Sequence, residues 1–78
     1  MTNLEKYNHA FASTFQVNEQ QLSTLNYQDV DGWDSIGHMK MIAELEDAFT
    51  ILIETDDILD FSSYSKGFKI LKKYGVEF

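Results

Sequence analysis

The apolar residues at the start of the chain recur in steps of three and four. Leu4, Tyr7, Phe11 and Phe15 follow one another at spacings of 3, 4 and 4, the repeat of one helical face. A helix over residues 2–15 is expected, with Thr2 or Asn3 as its cap. Residues 16–34 lose this period. They hold the turn formers Asn26, Asp29, Asp31 and Gly32, with Val17, Leu22, Leu25, Tyr27 and Val30 scattered among them. Ordered connections of this length are uncommon in compact domains and are often functional, and the scattered apolar residues imply that this one is pinned to the core.

The period returns over residues 35–49, SIGHMKMIAELEDAF, a run with no proline and one glycine. Asp34 or Ser35 can cap it, because either side-chain oxygen can accept a free N–H of the first turn. A connector, TILIET, follows; its Ile51, Leu52 and Ile53 have strand character but no partner strand. Residues 56–60 fit one short helical turn. Ser62 or Ser63 then caps a last helix with Tyr64, Phe68, Leu71 and Tyr74 on one side. Lys66, Lys69, Lys72 and Lys73 lie towards its C-terminal half, where cations suit the helix dipole, and Gly75 ends it. The expected fold is all-α: one domain over residues 1–78, a four-helix bundle of three main helices and one short one.

On a wheel at roughly 100° per residue, Met41, Ile42, Leu45, Ala48 and Phe49 make one core stripe. Ile36, Met39 and Ala43 make a second, separate strip, bordered by Lys40, Glu46 and Asp47. A helix in a small bundle needs only one buried face. The second strip is either a docking surface for a partner, or is covered by Trp33 or the short third helix.

Composition narrows the function. The 78 residues carry 13 acidic and 6 basic side chains, a formal charge of −7, with no cysteine, proline or arginine. A hydrophobic content of 44% with 11 aromatic residues supports a small core without disulfides or metal, and argues against disorder. Nucleic-acid binding is disfavoured, since phosphate contacts need a basic surface. No stretch approaches the roughly 18 uninterrupted apolar residues of a membrane span. No basic segment followed by an apolar run begins the chain, so no secretory signal is expected and a cytoplasmic location is the default. Residues 29–60 carry ten acids and the single base Lys40, against four lysines and Glu77 in residues 61–78. Such an acidic middle either steers a basic partner or serves as a solvated surface. A core this small leaves little room for an enzyme pocket, which favours a binding, carrier or interaction module over a catalyst.

Four chemical constellations fail. Asp29-Val-Asp31-Gly32-Trp33-Asp34 has the look of a calcium loop, but places Asp34 where an EF-hand needs glycine and Lys40 where it needs a bidentate glutamate. No His, Cys and carboxylate set has zinc spacing, and no glycine-rich phosphate loop is present. Ser35 and His38 are three apart on one helix, the spacing of a Ser–His pair, but no third group or oxyanion hole accompanies them. His38 is expected as an exposed histidine.

The most informative stretch is Gly32-Trp33-Asp34-Ser35-Ile36-Gly37-His38-Met39, with Leu45-Glu46-Asp47-Ala48-Phe49 after it. Here the sequence resembles the acyl carrier protein family, whose mark is Asp-Ser-Leu at the start of the second helix and Leu-Glu-x-x-Phe near its end. The likeness spans nearly the whole chain: an amphipathic first helix, a long loop, the motif helix, a short third helix and a last helix. It implies an acyl-carrier-like bundle whose Ser35 hydroxyl is esterified by 4′-phosphopantetheine from coenzyme A, the arm's thiol then holding an acyl group as a thioester. It implies partner contacts at Asp34, Ile36, Met39, Glu46 and Asp47, the strip that the wheel isolates. It further implies a monomer that is not itself an enzyme. The partners implied are a phosphopantetheinyl transferase, an acyl- or aminoacyl-loading enzyme, and condensing or transferring enzymes. Lys40, where many fatty-acid carriers have an acid, and Trp33, outside the minimal motif, point to a specialised pathway. The alternatives are an aminoacyl or hydroxyacyl carrier loaded by an adenylating ligase, and an unmodified acidic helical adaptor.

Overall fold

In the computed structural model, which describes residues 1–78, Thr2 starts helix α1 (Asn3–Phe15). Its hydroxyl accepts the Glu5 N–H at 3.1 Å, while the Glu5 carboxylate accepts the Thr2 N–H at 2.8 Å. This reciprocal pair satisfies two donors that the helix leaves unpaired. Tyr7, Ala10, Phe11 and Phe15 are buried along one face. Leu4, expected with them, is 44% exposed. Its angle places it on the stripe, but it lies in the first turn and is left outside the core.

The connection over 16–34 is more ordered than its loss of period predicts. Glu19–Thr24 forms a 3-10 helix, opened by the Asn18 carbonyl accepting the Gln21 N–H at 3.0 Å. Leu22 and Leu25, three residues apart and so eclipsed in a 3-10 turn, both point into the core. Trp33, at the end of the connection, is fully buried. It stacks on Phe15 at 5.0 Å between centroids and meets Phe11 edge-on at 5.5 Å.

Helix α2 (Ser35–Phe49) buries Met41, Ile42 and Leu45 against α1, while Ala48 and Phe49 are only half-buried at its end. The connector after it forms no strand. Ile53 is buried and Ile51 half-buried against the core, while Leu52 is 83% exposed. The chain's single bridge pairs Asn26 with Ser63. Helix α3 (Thr55–Asp60) is short, and its one buried residue is Asp57. The Asp57 carboxylate accepts from the Lys73 ammonium and, at 2.5 Å, from the Tyr74 hydroxyl. These bonds, that to Lys73 first, hold its carboxyl below the usual aspartate range and tie α3 to the turn after helix α4 (Tyr64–Lys72). Helix α4 is capped by Ser63, whose hydroxyl accepts the Lys66 N–H at 3.0 Å. It stops at Lys72, earlier than its pattern suggests, so Tyr74 lies in the closing turn, where Gly75 has φ 86°.

The fold is thus all-α, four α-helices and one 3-10 helix around a core of 16 buried apolar residues. No buried side-chain nitrogen or oxygen lacks a hydrogen-bond partner. No helix is long and apolar enough to cross a membrane.

Candidate functional site

Two adjacent residues compete to cap α2, and Asp34 takes the position. Its backbone is extended, and its Oδ1 accepts the Gly37 N–H at 2.7 Å. Its carbonyl accepts the His38 N–H at 2.8 Å. Ser35 is then the first residue inside the helix, exposed, with its hydroxyl left out of the capping. The N–H groups of Ser35 and Ile36 have no acceptor within the helix, so two donors and the positive end of the dipole lie beside that hydroxyl.

The turn before α2 lies directly on the helix's first turn. A Cβ at Gly37 would stand 1.7 Å from the Gly32 carbonyl oxygen, so only glycine allows this approach. Gly37 is therefore a site-shaping residue that the sequence pattern did not single out. A glycine at the third position of a helix, five residues after another glycine, is the signal that could have found it.

Ser35 opens onto a groove of about 320 Å³ between the 16–34 connection, α2 and α3. Met39, Ile58, Leu59 and Phe61 supply its apolar wall; Tyr27 and His38 complete it. The groove is mostly apolar, with hydroxyls at the Ser35 and Ser62 ends. Leu59, at 76% exposure, stands on its rim.

His38 is not the exposed histidine expected from its position. Its Nδ1 accepts the indole N–H of Trp33 at 2.9 Å, and its Nε2 lies 2.7 Å from the Ile58 carbonyl oxygen. An indole N–H can only donate and a carbonyl can only accept, so the ring is the neutral tautomer with hydrogen on Nε2. Both nitrogens are committed, and the imidazole is not available as a base for the Ser35 hydroxyl.

Of the second strip, Ile36 is 67% exposed and Met39 51% exposed. Trp33 covers neither, because the core takes the indole. Asp47 is exposed. Glu46 is half-buried and partly spent within the fold: its Oε2 accepts the Ile53 N–H at 2.9 Å and so anchors the connector after α2. The structure gathers Asp34, Ser35, Ile36 and Met39 at one end of α2. Glu46 lies eleven residues beyond Ser35, some 16 Å along the axis at the usual rise of about 1.5 Å per residue, with Asp47 next to it. No three His, Cys, Asp or Glu side chains are grouped to hold a metal ion. Compared with protein-family models, curated proteins and solved structures, the chain matches none.

Proposed function

We infer that the chain is an acyl carrier, tethering acyl groups on a 4′-phosphopantetheine arm at Ser35 and presenting them to successive enzymes. The observation that carries this reading is the exposed Ser35 hydroxyl at the first position of α2, released from capping by Asp34. The order of the helices, with a long connection before α2 and a short α3 after it, supports an acyl-carrier-like bundle.

The residues present fit such an arm. A phosphodiester on Ser35 would meet the free N–H groups of Ser35 and Ile36 at the positive end of a 15-residue helix. Asp34 turns one carboxylate oxygen inward to Gly37, which limits its repulsion of that charge. On modification, the Ser35 oxygen bonds to the phosphorus bearing the pantetheine of coenzyme A. The pyrophosphate P–O bond breaks, adenosine 3′,5′-bisphosphate leaves, and the hydroxyl proton passes to a base of the transferase. When attached, the arm supplies a thiol that holds an acyl group as a thioester. The protein's part is to hold Ser35 exposed and to offer Ile36, Met39 and Asp47 as a weak docking face. Weak, charge-guided contacts suit a carrier that must bind and release a transferase, a loading enzyme and condensing or transferring enzymes in turn.

The test is intact-mass analysis after incubation with coenzyme A and a promiscuous phosphopantetheinyl transferase. One added phosphopantetheine is expected, lost in Ser35→Ala with the fold retained. An unmodified chain beside a fully modified control carrier overturns the reading in favour of an adaptor, which the exposure of Ile36 and Met39 would also serve. Which donor loads the modified form, an acyl or an aminoacyl adenylate, separates the two kinds of carrier.

A further inference from the structure

Helix α3 forms one wall of the groove beside Ser35, yet it has little apolar hold on the rest of the molecule. Its six residues bury only Asp57, leave Ile58 half-buried, and expose Leu59. Ile58 packs against the core and Phe61, which caps the helix, is buried; the other ties are polar. At one side, Asp57 binds Lys73 and Tyr74, and the Tyr74 hydroxyl accepts the Glu54 N–H at 2.9 Å. At the other, the Ile58 carbonyl is bound by His38, which is itself fixed by Trp33.

That second attachment crosses the site. Trp33 precedes Ser35 by two residues and is fully buried, packed on Phe11 and Phe15. His38 follows Ser35 by three residues. The indole and imidazole planes are within 13° of parallel, an arrangement compatible with the indole N–H donating to Nδ1. Tyr27 and Phe61 stand edge-on to the imidazole at 5.6 and 6.2 Å between centroids. The ring thus has one position, and its Nε2–H is aimed at a carbonyl 20 residues away in sequence.

We propose that His38 is a positioning residue for the Ser35 site, holding α3 in place through the Trp33–His38–Ile58 chain of hydrogen bonds and so fixing the groove wall that a docking enzyme meets next to Ser35. The proposal rests on the carrier reading for its second half only; the hold on α3 is a property of the unmodified chain. Loss of the imidazole removes the polar hold at the groove side of α3 and leaves the helix to Asp57, the Glu54–Tyr74 bond and the core contacts of Ile58 and Phe61.

Three variants separate this role from general packing. His38→Phe keeps an aromatic ring but neither hydrogen bond. His38→Gln carries an amide with one acceptor and one donor that can restore both. Trp33→Phe keeps His38 but removes the N–H that orients the imidazole, together with part of the core volume that the indole fills. Amide hydrogen exchange on the unmodified chains reads α3 directly, through the Ile58 and Phe61 N–H groups bonded to Glu54 and Ile58 carbonyls. The expected result is exchange at these amides at least tenfold faster in His38→Phe, beyond any change shared with α1 and α2, with His38→Gln within threefold of the native chain. The native imidazole should also show hydrogen on Nε2 and none on Nδ1 by nitrogen NMR. If His38→Phe does not fold, Trp33→Phe carries the comparison, with a smaller change of the same kind. Uniform loss of protection, or none, overturns the hold on α3.

The link to Ser35 is read from transferase kinetics. His38→Phe should raise KM for the chain at least threefold with kcat within twofold, and His38→Gln should restore it. An unchanged KM alongside a loosened α3 overturns that link. No modification of any chain overturns the carrier reading instead, while the exchange result still decides the hold on α3.

Discussion

The Asp34 carboxylate accepts the Gly37 N–H at 2.7 Å, and this single bond decides that Ser35 is a free hydroxyl and not a helix cap. The two residues should therefore differ in what their removal costs. Asp34→Ala loses a side-chain cap, a change typically worth about 1 kcal/mol. Ser35→Ala should stay within about 0.5 kcal/mol of the native chain, as exposed substitutions without structural bonds do. Urea unfolding of both variants checks this, and the reverse order would mean that Ser35 caps α2 in solution.

Gly37→Ala sets helix propensity against close approach. Propensity alone favours alanine by about 1 kcal/mol in a helix. The added Cβ would lie 1.7 Å from the Gly32 carbonyl oxygen and 2.9 Å from its carbon, both backbone atoms that cannot swing aside. The approach should win, and the variant should lose about 1–3 kcal/mol, the range of an overpacked site. A rise in the thermal midpoint would show that the turn is not seated on α2.

Asp57 makes stability depend on pH at both ends of the scale. Its carboxyl is held below the ordinary aspartate value by Lys73 and then Tyr74, so the charged form stabilises the fold above that ordinary value. The contribution is lost as pH falls through the lowered folded value. Lys73 is raised by the same bond, and its contribution is lost as pH rises through its folded value. Denaturation midpoints of the native chain and Asp57→Asn should thus differ most between about pH 5 and pH 8 and converge at acid and alkaline extremes. A constant gap across this range would remove the ion pair from the account.

Ile36 and Leu45 lie on the same helix with opposite duties. Leu45 is fully buried, and Leu45→Ala should cost about 2–5 kcal/mol through lost burial and the cavity left behind. Ile36 is 67% exposed, and Ile36→Ala should leave stability within about 0.5 kcal/mol. If the strip around Ile36 docks a transferase, Ile36→Asp should slow modification of Ser35 by tenfold or more with the fold intact by circular dichroism. Equal rates would take Ile36 out of the docking face.

How far the pattern of residues reached differs from element to element. Helix α2 was legible over its full length, because Met41, Ile42 and Leu45 repeat at the helical period and Asp34 stands before them. The short α3 was legible to within one residue. The 3-10 helix over Glu19–Thr24 was not, since six residues are too few to show a period above polar noise. Leu4 misled, because a wheel records angle and not which turns find a packing neighbour.

Sequence alone determined the all-α character, the limits of α2, the two apolar faces of α2 and the placing of Asp34 and Ser35 at its start. These follow from local spacing and capping chemistry, which act over a few residues. Tertiary structure decided which of that pair caps the helix, that Trp33 belongs to the core, that Glu46 is half spent on Ile53, and that His38 reaches Ile58 across 20 residues. The cap is a local choice between two side chains that are equally able to accept, which spacing alone does not separate; the contacts of Trp33 and His38 depend on partners brought near only when the helices pack, and no local pattern records where such a partner will stand.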